Sequence, residues 1–142
     1  MIERIFVDSN IWVYLFASDD INKNTISRSF ISENSLNNNM MVISYQVLNE
    51  VAAVLKIKKK LSEENIRFVI ETMSNLCFVQ DFTKGILLKA SVLRDEHHVS
   101  FWDSLIVATA LESGCNRLLT EDMQHGQTVH GLKIHNIFSL IS

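Results

Sequence analysis

Asp8, Glu50, Asp103 and Asp122 each stand at the end of an apolar run or within two helical turns of one. Asp8 closes Ile5-Phe6-Val7, and Asp122 follows Leu118-Leu119 closely. Glu50 lies about two turns into the amphipathic stretch after Met40–Ile43, and Asp103 opens the apolar stretch 103–112. In open α/β sheets, ligands bind beyond the carboxyl ends of the strands, where strand order reverses. If the four acids meet there, their like charges raise at least one coupled pKa until a cation relieves the conflict. Hard carboxylate oxygens suit Mg²⁺ or Mn²⁺, with water and phosphate oxygens completing an octahedron.

Each acid also has a plainer explanation. Asp8 can simply cap the helix after it. Glu50 can be a solvated acid beside Asn49. Asp103, three residues after Ser100, fits a capping box. Asp122 sits in a turn, where aspartate is common, and Glu121 beside it competes for the inward position. The argument rests on convergence of the four, not on any one. Zinc has no sequence pattern in its favour: His97-His98 lacks an i,i+4 spacing, and His125 and His130 fall in an expected loop.

The elements that must position these acids alternate. Ile5-Phe6-Val7 reads as a strand buried on both faces, followed by a dense apolar helix from Asn10. The polar stretch 19–39 holds Ile26, Phe30 and Ile31 at helical spacing, so it predicts a peripheral helix and a loop. Met40–Ile43 is a second strand, with Ser44 capping a helix striped by Val47, Leu48, Val51, Ala52, Val54 and Leu55. Ser62-Glu63-Glu64 starts another helix, carrying Ile66, Val69, Ile70 and Met73. Leu76–Val79 reads as a third strand and Lys84–Glu96 as a helix. Phe101–Ser113 is an apolar helix stopped by Gly114, and Arg117–Thr120 and Leu132–His135 are the last strands. This alternation predicts an α/β fold, a mainly parallel central sheet between two helical layers.

Composition is compatible with that reading. The 142 residues include 47% hydrophobic and 20% charged side chains, enough for one packed domain spanning 1–142 and too apolar for disorder. There is no proline and there are four glycines, so no interdomain linker is evident. The start of the chain lacks secretory-signal features, and no apolar stretch nears the ~20 residues of a membrane span, so a cytoplasmic protein is expected. Cys77 and Cys115 are accordingly expected as free thiols. A formal charge of −3 gives no global basic field, so any RNA contact must be local. Lys56, Lys58, Lys59 and Lys60, clustered after the Glu50 helix, are the candidates, with a solvated helix end as the alternative.

Four segments carry a family resemblance: Val7-Asp8-Ser9-Asn10-Ile11, Asn49-Glu50-Val51, Asp103-Ser104-Leu105-Ile106-Val107-Ala108-Thr109-Ala110 and Leu119-Thr120-Glu121-Asp122-Met123-Gln124-His125-Gly126. Together they resemble PIN-domain nucleases, specifically the VapC-type toxins of toxin–antitoxin pairs. The resemblance implies a three-layer α/β/α PIN-like fold, a homodimer, a cognate antitoxin and Mg²⁺- or Mn²⁺-dependent cleavage of RNA. It makes Asp8, Glu50, Asp103 and Asp122 the catalytic acids, with Asp8 and Asp103 as principal metal ligands. It places Ser9, Asn10 and Thr120 as supporting hydrogen-bonding residues.

Rival classes remain at this level. A phosphotransfer enzyme using Asp8 would want a second aspartate two residues on, where Asn10 stands. A non-catalytic RNA- or protein-binding module and a DNA or flap nuclease share the same pattern. Trp12, Tyr14, Phe16, Phe101 and Trp102 lie in dense apolar helices, so core or dimer interface is expected for them in preference to base stacking.

Overall fold

The computed structural model describes residues 2–139. Met1 and residues 140–142, part of the expected 1–142 domain, lie outside the described residues. Strand β1 (Arg4–Val7) leads to helices α1 (Ser9–Ala17) and α2 (Ile21–Leu36). Then come β2 (Met40–Ser44), α3 (Tyr45–Ile57), α4 (Glu63–Leu76) and β3 (Phe78–Gln80). The chain ends with α5 (Lys84–Glu96), α6 (Phe101–Glu112), β4 (Arg117–Leu119), β5 (Thr128–Val129) and β6 (Leu132–His135).

The six strands form one sheet in the order β3-β2-β1-β4-β6-β5. All neighbours pair in parallel except the β5–β6 hairpin. The chain first builds outward from β1 through β2 to β3, then crosses to the other side of β1 for β4. The order therefore reverses between β1 and β4, where Val7 is in register with Leu119. Ile5, Phe6 and Val7 are fully buried, as are Val42, Ile43, Leu118 and Leu119. A strand with no exposed face needs helices on both sides, which gives the expected α/β/α sandwich. α1 packs on α2 and α3, and α3 on α4, while α5 packs mainly on α6.

The helix starts follow local chemistry. Asp20, Ser44, Ser62, Thr83 and Ser100 each cap a helix by accepting a backbone N–H with the side chain. Gly114, at φ +76°, ends α6 in a left-handed conformation that a side chain would resist.

The sheet differs from the sequence reading at the start of β3, at the end of β4, which stops at Leu119 and not at Thr120, and in β5, which was not expected. Leu76 belongs to α4, and Cys77 is its C-cap, donating its N–H to Met73 O, so β3 starts only at Phe78. β5 is two residues long, too short to show any alternation. Among the aromatics, Trp12 is fully buried as expected, but Phe101 and Trp102 are exposed at the start of α6. Of the two expected placements, core and dimer interface, the core is excluded for that pair by its exposure. Cys77 and Cys115 are free thiols.

Candidate active site

Asp8 leaves the carboxyl end of β1, and its backbone N–H donates to Leu119 O at 3.0 Å, stitching β1 to β4 at the reversal point. The residue is 5% exposed and is the N-cap of α1: Oδ1 accepts the Ser9 N–H at 2.7 Å. Oδ2 accepts the Thr120 hydroxyl at 2.9 Å. The capping role and a site role therefore coexist in one side chain.

Glu50 reaches this place from α3. Ser9 Oγ donates to its Oε2 and Gln46 Nε2 to its Oε1, each at 3.0 Å. Asp122 arrives from the loop after β4, where Asn10 Nδ2 lies 3.1 Å from both carboxylate oxygens and Thr120 Oγ1 accepts the Asp122 N–H at 3.2 Å. Asp103 stands in the first turn of α6, its N–H bonded to Ser100 Oγ at 3.1 Å.

The four acids feel one another. Burial first of all, with Glu50 and Asp122 adding to it and the Ser9 and Thr120 hydrogen bonds opposing, brings the Asp8 carboxyl from 3.8 up to about 6. Asp122 is also raised, first by burial and then by Asp103, with Glu121 and Glu50 adding to it and Asn10 opposing. Their oxygens are not packed together, however. Among the described residues, no three of these acids bring ligating oxygens within 4.8 Å of one another. The expected crowding of carboxylates gives way to a wider spacing, which like-charge repulsion favours, with Ser9 Oγ bridging Asp8 and Glu50 and Asn10 bonding Asp122 alone.

Glu121 turns the other way, to Lys23 Nζ and the Tyr14 hydroxyl. Asp122, not Glu121, is the acid beside Asp103 and Glu50. Lys56, Lys58, Lys59 and Lys60 are not brought to this group. Lys56 stands in the last turn of α3, roughly 9 Å along the helix axis from Glu50 at 1.5 Å per residue, Lys58 is the C-cap, and Lys59 and Lys60 follow the helix end. Lys56 is paired with Glu63 at 3.4 Å.

Two depressions flank the start of α6. A cleft of about 460 Å³ has Asp103 and Asp122 on its wall, with His97, Gln124 and Gln127. An apolar groove of about 740 Å³ runs past Glu50 and is lined by Tyr45, Phe82 and Trp102.

The donor set suits a hard divalent cation. Every hydrogen bond given to Asp8, Glu50 and Asp122 comes from a neutral group: a hydroxyl, a side-chain amide or a backbone N–H. Negative charge thus accumulates on oxygen ligands that, among the described residues, no ammonium or guanidinium pairs with, the chemistry that Mg²⁺ and Mn²⁺ satisfy.

Two features escaped the sequence reading. Gln46, a second holder of Glu50, sits one turn earlier on the same helix, an i,i+4 relation visible in the sequence. Glu96, His97 and His130 also converge, although no spacing signals it.

A family model for the PIN domain matches residues 5–129. The chain belongs to the PIN-domain family. Solved PIN-type structures share its fold at low identity. The toxin–antitoxin complex from Klebsiella pneumoniae is 20% identical, with a TM-score of 0.66, over 90% of this chain and 94% of that one. VapBC2 from Rickettsia felis, bound to a DNA fragment from its promoter, is 19% identical with a TM-score of 0.67, over 94% and 98%. VapC20 from Mycobacterium tuberculosis, described as a Sarcin-Ricin loop cleaving toxin, is 20% identical with a TM-score of 0.63, over 80% and 86%. Curated protein sequences give no match. Among the described residues of this PIN domain, no helix is long and apolar enough to cross a membrane.

Proposed function

We propose that this PIN domain is an Mg²⁺- or Mn²⁺-dependent endoribonuclease and the toxin of a toxin–antitoxin pair. The observation that carries the reading is Asp8: a buried carboxylate at the β1–β4 reversal, surrounded by negative neighbours and neutral donors. The similarity to VapC20, which by its description cleaves the Sarcin-Ricin loop, points the same chemistry at RNA. The solved toxin–antitoxin complexes support a protein antitoxin as partner.

In this proposal Asp8 and Asp103 are the principal metal ligands, and Glu50 and Asp122 orient the attacking water or complete a second cation site. Ser9, Asn10 and Thr120 hold those acids in place. The bound cation supplies Lewis-acid chemistry, activating water and polarising the phosphoryl oxygens. Water as nucleophile leaves 5′-phosphate and 3′-hydroxyl ends and does not need the 2′-hydroxyl. Lys58, Lys59 and Lys60, remote from the acids, contact phosphates away from the cut. The protein acts in the cytoplasm as a homodimer, for which exposed Leu87, Leu88, Val92, Phe101 and Trp102 offer apolar surface.

Defined RNA incubated with chelator, Mg²⁺ or Mn²⁺ tests the reading directly. Cleavage should require the cation and fall about a hundredfold or more in Asp8→Asn and Asp103→Asn, as when a charge-stabilising group is removed. Full activity in either variant refutes the assignment. Metal-independent RNA binding without turnover would instead make the chain a binding module, and preference for DNA would make it a flap-type nuclease. A Lys58/Lys59/Lys60 triple alanine variant should keep its maximal rate while its RNA binding depends less steeply on salt.

A further inference from the structure

His130 and Gly131 form the turn of the β5–β6 hairpin, with φ of +49° and +85°. Two successive left-handed residues mark a type I′ turn, where asparagine or glycine is the usual first residue. A side chain as large as histidine stands there at some backbone cost. Its ring is engaged. Nε2 lies 3.0 Å from Glu96 Oε2, at the end of α5, and His97 Nε2 lies 3.9 Å from that same oxygen. The three ligating atoms all fall within 4.8 Å of one another. The two imidazole rings meet edge to face with centroids 5.7 Å apart.

We propose that Glu96, His97 and His130 form a binding site for a Zn²⁺-class transition cation, distinct from the acidic group at the β1–β4 reversal. Zinc bonds of about 2.0–2.1 Å in tetrahedral array put ligand atoms roughly 3.3 Å apart. The 3.0 and 3.9 Å separations bracket that value. Two imidazoles, one carboxylate and a water make a familiar three-ligand zinc set. Imidazole donors disfavour Mg²⁺, so the two sites of this chain select different metals. An ion here joins the end of α5 to the hairpin at the rim of the 460 Å³ cleft that also holds Asp103 and Asp122. It thereby pins segment 97–100, whose last residue caps α6.

The competing account is a simple ion-pair chain. Lys89 Nζ lies 3.1 Å from His130 Nδ1. In that arrangement the ammonium donates to Nδ1, and the ring hydrogen sits on Nε2 and donates to Glu96. A metal on Nε2 needs the opposite tautomer, with the hydrogen moved to Nδ1 and Lys89 withdrawn. Lys89 therefore opposes the metal, and an acceptor in its place favours it by holding the Nδ1 hydrogen. The two accounts separate on that point.

The experiment titrates the chelator-treated full chain with Zn²⁺, and with Co²⁺ for its visible absorption, in excess Mg²⁺ that occupies the acidic group. One ion per chain is expected at micromolar concentration, with Co²⁺ bands indicating nitrogen ligands. His130→Asn, which suits the turn, and Glu96→Gln should each weaken binding at least tenfold while melting normally. Lys89→Gln should strengthen it severalfold. Absence of binding, equal affinity in His130→Asn, or unchanged affinity in Lys89→Gln would overturn the site. Loss of binding in Asp103→Asn but not in His130→Asn would assign the ion to the acidic group and overturn it equally.

Discussion

Thr120 Oγ1 donates to Asp8 Oδ2 at 2.9 Å while accepting the Asp122 N–H at 3.2 Å. One buried hydroxyl thus ties together the two acids that follow adjacent strands. It also favours the ionised form of Asp8, lowering a carboxyl that burial has raised. Thr120→Val keeps the shape and removes both bonds. The Asp8 pKa should then rise above about 6, and the acid limb of the pH–rate profile should move to higher pH. Leaving buried polar partners unmatched should cost about 1–3 kcal/mol of stability. Thr120→Ser should restore both properties. An unshifted profile in Thr120→Val, measured on RNA cleavage, would remove Thr120 from the site.

Asp8 makes the metal-free protein less stable as pH rises. Its folded pKa of about 6 lies above the unfolded 3.8, so the folded chain binds more protons between those values. Stability contributed by the protonated group is fully present below pH 3.8 and is lost as pH climbs through about 6, by about 3 kcal/mol in all. In chelator, Asp8→Asn should abolish that slope and melt several degrees higher than wild type at pH 7. The Thr120 hydroxyl must find another acceptor in the variant, which trims the gain. Thermal melts from pH 4 to 8 provide the check, and a lower melting temperature for Asp8→Asn at pH 7 contradicts it.

How far the sequence carries depends on how local each cause is. Ser44, Ser62 and Ser100 are visible as caps because a cap and the backbone N–H that donates to it lie three residues apart. α5 matches its expected bounds for the same reason. Asp8 and Asp122 were legible because an aspartate at the end of an apolar strand meets the strand-end rule directly. The start of β3 was not, since Leu76–Val79 is one apolar run and only the tertiary packing decides where helix gives way to strand. The partner of Glu121 is Lys23, 98 positions away, so no spacing could tell which acid faced inward. Glu96 and His130 meet across 34 positions through a two-residue strand that has no sequence signature.

That long-range pairing makes the adjacent acids Glu121 and Asp122 experimentally separable. Glu121 is taken up by Lys23 and Tyr14, and the Glu121 hydrogen bond is the largest cause raising the Lys23 pKa. Glu121→Gln should therefore leave RNA cleavage within about twofold and lower the melting temperature slightly, as expected of a partly exposed pair. Asp122→Asn should reduce cleavage tenfold or more and weaken Mg²⁺ dependence. Because the substitutions are isosteric and adjacent, comparing their rates at saturating RNA isolates side-chain direction from backbone effects. Equal losses in both variants would mean that the loop after β4 rearranges when substrate binds.

Gln46 tests whether positioning and stability can be pulled apart at one residue. Its Nε2 holds Glu50 Oε1, while its own carbonyl oxygen is buried without a hydrogen-bond partner. An orphaned buried acceptor costs about 1–3 kcal/mol, which offsets what the amide gains by bonding a carboxylate. Gln46→Met keeps the length and removes both the donor and the orphan. The melting temperature should hold or rise. Cleavage should fall severalfold, because Glu50 then keeps only the Ser9 hydroxyl and samples more orientations. If Gln46 merely packs against the groove, activity would be untouched; if its amide mainly supports the fold, the protein would melt earlier. Melting and single-turnover cleavage measured on the same preparation distinguish the three cases.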